Sequence, residues 1–437
     1  MSQSSSALVE RSEESAGLRL LLIALAGAVL FHGGLLPFTH GNTYDAFVHM
    51  FFADSYYRSW FDHWEPRWYT GFATTSYPPG THMAIAGLMH ILPIRSAFVV
   101  VQLVGVLLLT VGVYRFSLLW VAPRAAGFAA IVLVLSSSVA ETIHLFGQLP
   151  TIFSLGIFLN GLPYVYRWLV FGRAKDFFVA VIFAAATTAA HHVTTLFGGV
   201  LFVLPLGLHA MKAYAEFRPA DSLLHMFTRF GVPLGRGLLL GIFMLAAMFL
   251  TVLPYWIWSI NDPITQVPIP HGSRENFLER FDLGFIFFVL PWGVSLLFLP
   301  YAIYKTFTSR LWPLGASLLL STLLGLGGTT PIGRIVLGDA FDVLTLDRFT
   351  FWATILILPF IGHMLEGLLN GRSGAMLRAS FGRGIQRILL GGIFLCYSFV
   401  AVFAAILPTV KPTQPRFIDP EPITQFLQSD DHARWRY

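Results

Sequence analysis

Runs of apolar residues long enough to cross a bilayer recur from one end of the chain to the other. Crossing a hydrocarbon core of about 30 Å takes about 20 helical residues. About eleven runs meet or approach that length, at roughly 17–38, 96–116, 125–145, 150–171, 175–191, 193–213, 236–258, 283–304, 311–328, 348–367 and 387–408. Lipid supplies no hydrogen bonds, so each run must satisfy its backbone internally, as a helix. Only 12% of the 437 residues are charged, about half the share of a soluble domain. A further run, 80–93, is too short to cross alone and is flanked by Pro78, Pro79 and Pro93. It predicts a surface or re-entrant helix. The expected fold class is an all-α polytopic membrane protein with about eleven transmembrane helices and a large first external loop containing surface helices.

Basic residues set the expected topology. Arg115 and Arg124, Arg173 and Lys175, Lys212 to Arg236, Lys305 and Arg310, and Arg372 to Arg387 fall at alternate ends of successive runs. The positive-inside rule places them on the cytoplasmic side. The alternation works only if 80–93 does not cross. It puts the N-terminus inside and the C-terminus outside. The acidic residues took no part in that choice, yet Asp45, Asp54, Asp62, Glu65, Glu141, Asp339, Asp342 and Asp347 then share the outer side. The expected organisation is a cytoplasmic tail (1–16), a transmembrane domain (17–408) with external loops at 39–95 and 259–283, and the start of an external segment (409–437). The net charge of +5 follows from the inner-side cations and calls for no nucleic-acid partner. One cysteine, Cys396, excludes an intrachain disulfide or a cysteine metal cluster.

Polar chemistry concentrates in 41–82, where Asp45, His49, Asp54, Arg58, Asp62, His63, Glu65, Arg67 and His82 stand among many aromatics. Ionisable groups in so apolar a chain mark functional sites by default. A helix over 44–60 would put Asp45 and His49 on one face, with Asp54 and Arg58 paired on the other. The first pair then reads as a general base with a tuning imidazole, against the plainer reading of an interfacial helix. Glu65 and Arg67, beside Pro66 and Trp68, are candidates to hold a sugar hydroxyl, a metal ion or a phosphate; the alternative is a Pro-Trp-Tyr membrane anchor.

Outside that loop, Glu141, His144 and Gln148 stand at i, i+3 and i+7 and would line one stripe at the outer end of the third run. They read as a cavity wall or as hydrogen-bonding glue between helices. His191 and His192 point about 100° apart on a helix, so they make a poor chelating pair; one is a candidate to face the cavity, against the plainer reading of a polar turn at the outer surface. The loop 261–283 is a candidate lid or a solvated face. Asp347 and Arg348 open the tenth run, where an arginine fork suits a lipid phosphate or an interfacial anchor. Arg334 is a second choice for that role.

The order of these motifs resembles the GT-C superfamily of membrane glycosyltransferases, which includes oligosaccharyltransferase catalytic subunits, protein mannosyltransferases and aminoarabinose transferases. The likeness rests on Asp45 after the first span, Trp64-Glu65-Pro66-Arg67-Trp68, a Gly-Phe step and Tyr77-Pro78-Pro79 before a short helix. Together with Phe146-Gly147-Gln148-Leu149-Pro150, His191-His192 and Asp347-Arg348-Phe349, the pattern also resembles a membrane family filed as 6-pyruvoyl-tetrahydropterin synthase-related. The resemblance implies sugar transfer from a polyprenyl-phosphate-linked donor on the extracytoplasmic side of the cell membrane, with Asp45 as base. The acceptor would be a polysaccharide, a lipid or a protein. No cofactor is required by this chemistry; a divalent metal stays open, since an Asp-x-Asp pair and a Lys before Pro78-Pro79 are missing. Two other classes stand beside it: a transporter or lipid flippase, and a non-catalytic scaffold for an external domain. Polar residues gathered at one face of the membrane disfavour a path through it. A cavity between the first loop and spans three, five and ten would separate an enzyme from a scaffold.

Overall fold

A computed structural model describes residues 3–68, 71–74, 78–217, 223–260, 270–410, 413 and 421–429. Tyr77, the stretch 261–269 of the second loop and most of the C-terminal segment lie outside them. Among the described residues, eight helices are long and apolar enough to cross a membrane: α1 (Arg11–Asn42), α4 (Ile94–Ser117), α7 (Leu149–Phe171), α9 (His192–Glu216), α10 (whose apolar part is Arg229–Pro254), α11 (Phe281–Thr308), α13 (Asp347–Leu369) and α14 (Arg372–Val410). A ninth results if the bent pair α5 (Pro123–Val134) and α6 (Ser137–Phe146) makes one span.

The expected count of eleven is therefore not confirmed. Two of its runs fold as shorter helices, α8 (Ala174–Ala190, 17 residues) and α12 (Trp312–Gly325, 14 residues). At 1.5 Å per residue neither reaches across 30 Å of hydrocarbon. The run 80–93 gives only the nine-residue α3 (Gly80–Leu88), as its length and prolines predicted. The first loop holds α2 (Ala46–Arg58) and a small antiparallel pair, β1 (Trp64–Glu65) and β2 (Phe72–Ala73), with Trp64 opposite Ala73. An exposed helix, α15 (Glu421–Ser429), follows α14.

Small residues let the helices approach closely, the usual substitute in lipid for a hydrophobic driving force. Where α4 crosses α7, a side chain on Gly156 would meet the Leu109 amide, and one on Gly112 the Leu159 Cβ. Polar bonds lock the same crossing: Asn160 Nδ2 donates to the Leu108 carbonyl (2.9 Å) and Arg115 to Asn160 Oδ1 (3.1 Å). Where α13 crosses α5, Gly362 faces the Ala125 carbonyl so closely that a Cβ would stand 2.1 Å from its oxygen. The first span is held by a buried imidazole pair, His32 Nδ1 against His144 Nε2 at 3.1 Å.

The α5–α13 crossing yields a test. Gly362→Val must push two backbones apart, so overpacking should destabilise the fold by about 1–3 kcal/mol. Thermal unfolding in detergent, beside a control substitution at the open Gly391, reads that loss. An unchanged midpoint would refute the close crossing.

Candidate functional site

Asp45 sits where the first loop turns into α2. Its position is set by backbone bonds to a distant element: Tyr44 N–H donates to the Leu145 carbonyl (3.1 Å) and Asp45 N–H to the Phe146 carbonyl (2.9 Å). Those carbonyls are presented by a π-helical turn, Thr142–Phe146, which ends at Gly147 with φ +71. A Cβ on Gly147 would strike the Thr43 hydroxyl, so glycine serves both the left-handed conformation and the close approach. An Asp at this first position ordinarily caps its helix through the side chain. Here the carboxylate caps nothing.

Asp45 and Arg348 line one cavity of about 440 Å³ with His49, Gln148, Pro150, Thr151, His191, His271, Thr345 and Trp352. Arg348 is braced by Thr345, its Nε donating to the carbonyl at 2.8 Å and an Nη to the hydroxyl at 3.0 Å. Asp347, its neighbour at the start of α13, accepts from Gln148 Nε2 (3.2 Å). His191 occupies the extended break between α8 and α9 (φ −166, ψ 103). His271 is held against Ser273 (2.8 Å), whose hydroxyl accepts from the Leu346 amide (2.8 Å). The second loop is thus pinned to the start of α13.

Burial, with the charge of Asp347 adding to it, raises the Asp45 carboxyl to about 6. The imidazoles around it stay neutral. Burial holds His49 well below its ordinary value, with His82 and His191 pushing the same way, and holds His82 at about 3. His49 Nδ1 lies 3.1 Å from His82 Nε2, so His82 backs His49 from behind the cavity wall.

Of the residues singled out from the sequence, Asp45, His49, Gln148, His191 and Arg348 line the cavity, while Asp347 and His82 touch residues that do. Glu141 is buried deeper, with one oxygen unpartnered among the described residues. The expected single stripe of Glu141, His144 and Gln148 does not form. The π turn and the left-handed Gly147 break the 100° step, so His144 points back to His32 and to the Thr39 hydroxyl (2.7 Å) while Gln148 points to Asp347. His192 is half-buried and outside the cavity lining. Glu65 and Arg67 are bound to each other, and Arg67 also to Asp54; the guanidinium holds Glu65 below the usual carboxylate range. Arg334 forks onto Asp342 at 2.9 and 3.0 Å. Sequence reasoning left His271 undistinguished within its loop and did not name Thr345, Thr151 or Trp352. Among the described residues no group of three His, Cys, Asp or Glu side chains could hold a metal ion.

The backbone is similar to that of the oligosaccharyltransferase of Archaeoglobus fulgidus in its apo form (TM-score 0.54, 13% identity, 95% of this chain and 58% of that one). It is similar also to the archaeal oligosaccharyltransferase AglB from Archaeoglobus fulgidus in complex with an inhibitory peptide and a dolichol-phosphate (TM-score 0.53, 12% identity, 95% and 58%). The chain spans 58% of the length of these proteins. No family model and no curated protein matches the sequence. The likeness is one of fold to these oligosaccharyltransferases; membership of the 6-pyruvoyl-tetrahydropterin synthase-related family is not shown.

The raised Asp45 makes a stability prediction with a definite sign. A carboxyl with its folded value near 6 and an unfolded value near 4 binds more protons folded than unfolded between those pH values. Stability therefore falls as pH rises from about 4 to about 6. Asp45→Asn should match wild type near pH 4 and exceed it by about 1–3 kcal/mol above pH 7. Chemical denaturation in detergent at both pH values checks this; equal stability at high pH would show that the carboxylate is not strained.

Proposed function

We propose that the chain is a membrane glycosyltransferase that moves a sugar from a polyprenyl-phosphate-linked donor to an acceptor hydroxyl, with Asp45 as general base and Arg348 on the departing phosphate. The observation that carries this reading is the shared cavity: a carboxylate free of any capping bond and a braced guanidinium line the same space. The fold agrees with it, since the similar proteins are oligosaccharyltransferases and one was solved with a dolichol-phosphate and a peptide.

The chemistry follows from those two groups. The acceptor oxygen attacks the anomeric carbon while its proton passes to Asp45. The bond between that carbon and the phosphate oxygen breaks, and its electron pair stays on the phosphate. The guanidinium fork of Arg348 suits the charge gathering there. A base near 6 is better matched to neutral pH than an ordinary aspartate, because it stays ionised while gaining proton affinity. His49, held neutral, orients the acceptor through a hydrogen bond without adding charge. Gln148, which lines the cavity, is held by Asp347. In this reading the cavity opens on the extracytoplasmic side of the cell membrane, the N-terminus is cytoplasmic and the C-terminus extracytoplasmic. The acceptor is a polysaccharide, a lipid or a protein.

Transfer from lipid-linked donors by purified Asp45→Asn and Asp45→Ala should fall by about 10²–10⁴-fold. The wild-type kcat/KM should rise with pH through a midpoint near 6, where Asp45 ionises. Wild-type rates in either variant would sink the assignment. For the donor, lipids co-purifying with wild type and with Arg348→Ala should be compared by mass spectrometry. A polyprenyl phosphate retained only by wild type is expected. Bulk phospholipid alone in both would move the weight to the transporter or scaffold readings.

A further inference from the structure

A second cavity of about 420 Å³ is walled by the turn after α4, by α7, by α9 and by the segment joining α11 to α12. Its lining combines two cations, Lys212 and Arg310, with Tyr166, His209, Trp120 and Glu216. Neither cation has an ion pair among the described residues, although Glu216 lines the same space. Trp120 is 3% exposed, yet its indole N–H has no partner among the described residues, and neither has the buried Nδ1 of His209. The His209 ring lies between the two aromatics, with centroids 4.7 Å from Trp120 and 5.7 Å from Tyr166. A buried indole N–H normally finds an acceptor. This one belongs to a residue lining a cavity that also presents two cations.

Leu204, Leu208 and Lys212 lie one turn apart on a single face of α9, and the two leucines are 61% and 39% exposed. Those leucines also line an apolar furrow of about 440 Å³ between α7, α9 and α10, floored by Gly207, Gly237 and Gly241. One helical stripe therefore runs from a chain-sized apolar furrow straight to a cation at the rim of the polar cavity. Tryptophan and tyrosine take the headgroup level of a bilayer, and Trp120 and Tyr166 line the polar cavity.

We propose that this cavity binds a phospholipid headgroup, with the phosphate on Lys212, Arg310 and the Trp120 indole N–H, and an acyl chain in the furrow. Glu216 then accepts from a hydroxyl or ammonium of the headgroup, which selects glycerol or ethanolamine heads over choline. The site is separate from the Asp45 cavity and shares no lining residue with it.

Native mass spectrometry of the full chain in detergent tests this. The protein is offered phosphatidylglycerol, phosphatidylethanolamine or phosphatidylcholine with identical acyl chains. Glycerol and ethanolamine lipids should be retained in preference to choline. Lys212→Gln with Arg310→Gln should lower their affinity about thirtyfold, Trp120→Phe should lower it while keeping the ring, and Lys212→Arg should retain it. An unchanged thermal midpoint shows that each variant is folded. Equal retention of all three lipids, or no loss in the double variant, overturns the proposal. Displacement by millimolar inorganic phosphate alone would also overturn it, by assigning the cavity to a free anion.

Discussion

Two backbone hydrogen bonds fix the candidate site. Tyr44 and Asp45 donate to Leu145 and Phe146, and the rest of the cavity is arranged around the junction they make. The junction exists because α6 ends in a π turn, a widening often associated with function, and because Gly147 turns left-handed beneath Thr43. The same turn sends Gln148 toward Asp347 at the start of α13. A loop after the first span, the end of the bent pair and the start of the thirteenth helix thus meet at one point. Each brings one candidate side chain to the cavity or its edge, and none of the three is close to another in sequence.

The charges at that point are kept apart on purpose of geometry. Had Arg348 been paired with Asp45, the carboxyl would fall below its ordinary value. It rises instead, through burial and the neighbouring charge of Asp347. Arg348 is occupied by the carbonyl and hydroxyl of Thr345. Buried imidazoles add no positive charge to offset the carboxylate, because His49 and His82 are held neutral. The outcome is a base of raised proton affinity and a cation that share a cavity without neutralising each other. Such a pair can act on two different atoms of one substrate.

Fold class was legible because apolarity over 20 residues has one structural outcome in lipid. The number of spans was less so. The runs 175–191 and 311–328 are as apolar as their neighbours, but α8 and α12 are shorter than a crossing. Apolar composition cannot tell a helix that faces lipid from one that packs on other helices. Asp45 and His49 reach one cavity because α2 starts directly after Asp45 and places His49 one turn on. The Glu141, His144 and Gln148 stripe failed because the 100° rule presumes an unbroken helix, and one π turn redirected His144 to His32. His271 carried no sequence signal at all. Its place in the cavity depends on Ser273 bonding the Leu346 amide, 73 residues away.

The first loop also shows how charge divides between structure and chemistry. It holds four carboxylates, Asp45, Asp54, Asp62 and Glu65. Asp54 joins Arg58 and Arg67, Glu65 joins Arg67, and Asp62 accepts from the Trp64 amide. Those contacts bind α2 to the β1–β2 pair and stack Arg67 on Phe51, 5.0 Å from its centroid. Exposed ion pairs of this kind contribute little each, but Arg67 bridges two carboxylates from two elements and so fixes their relative position. Three of the four carboxylates thereby hold the loop in shape. Asp45 alone makes no side-chain bond among the described residues. A carboxylate left unused in a loop that uses all its others, and raised rather than lowered by its surroundings, is the one the proposed reaction takes as its base.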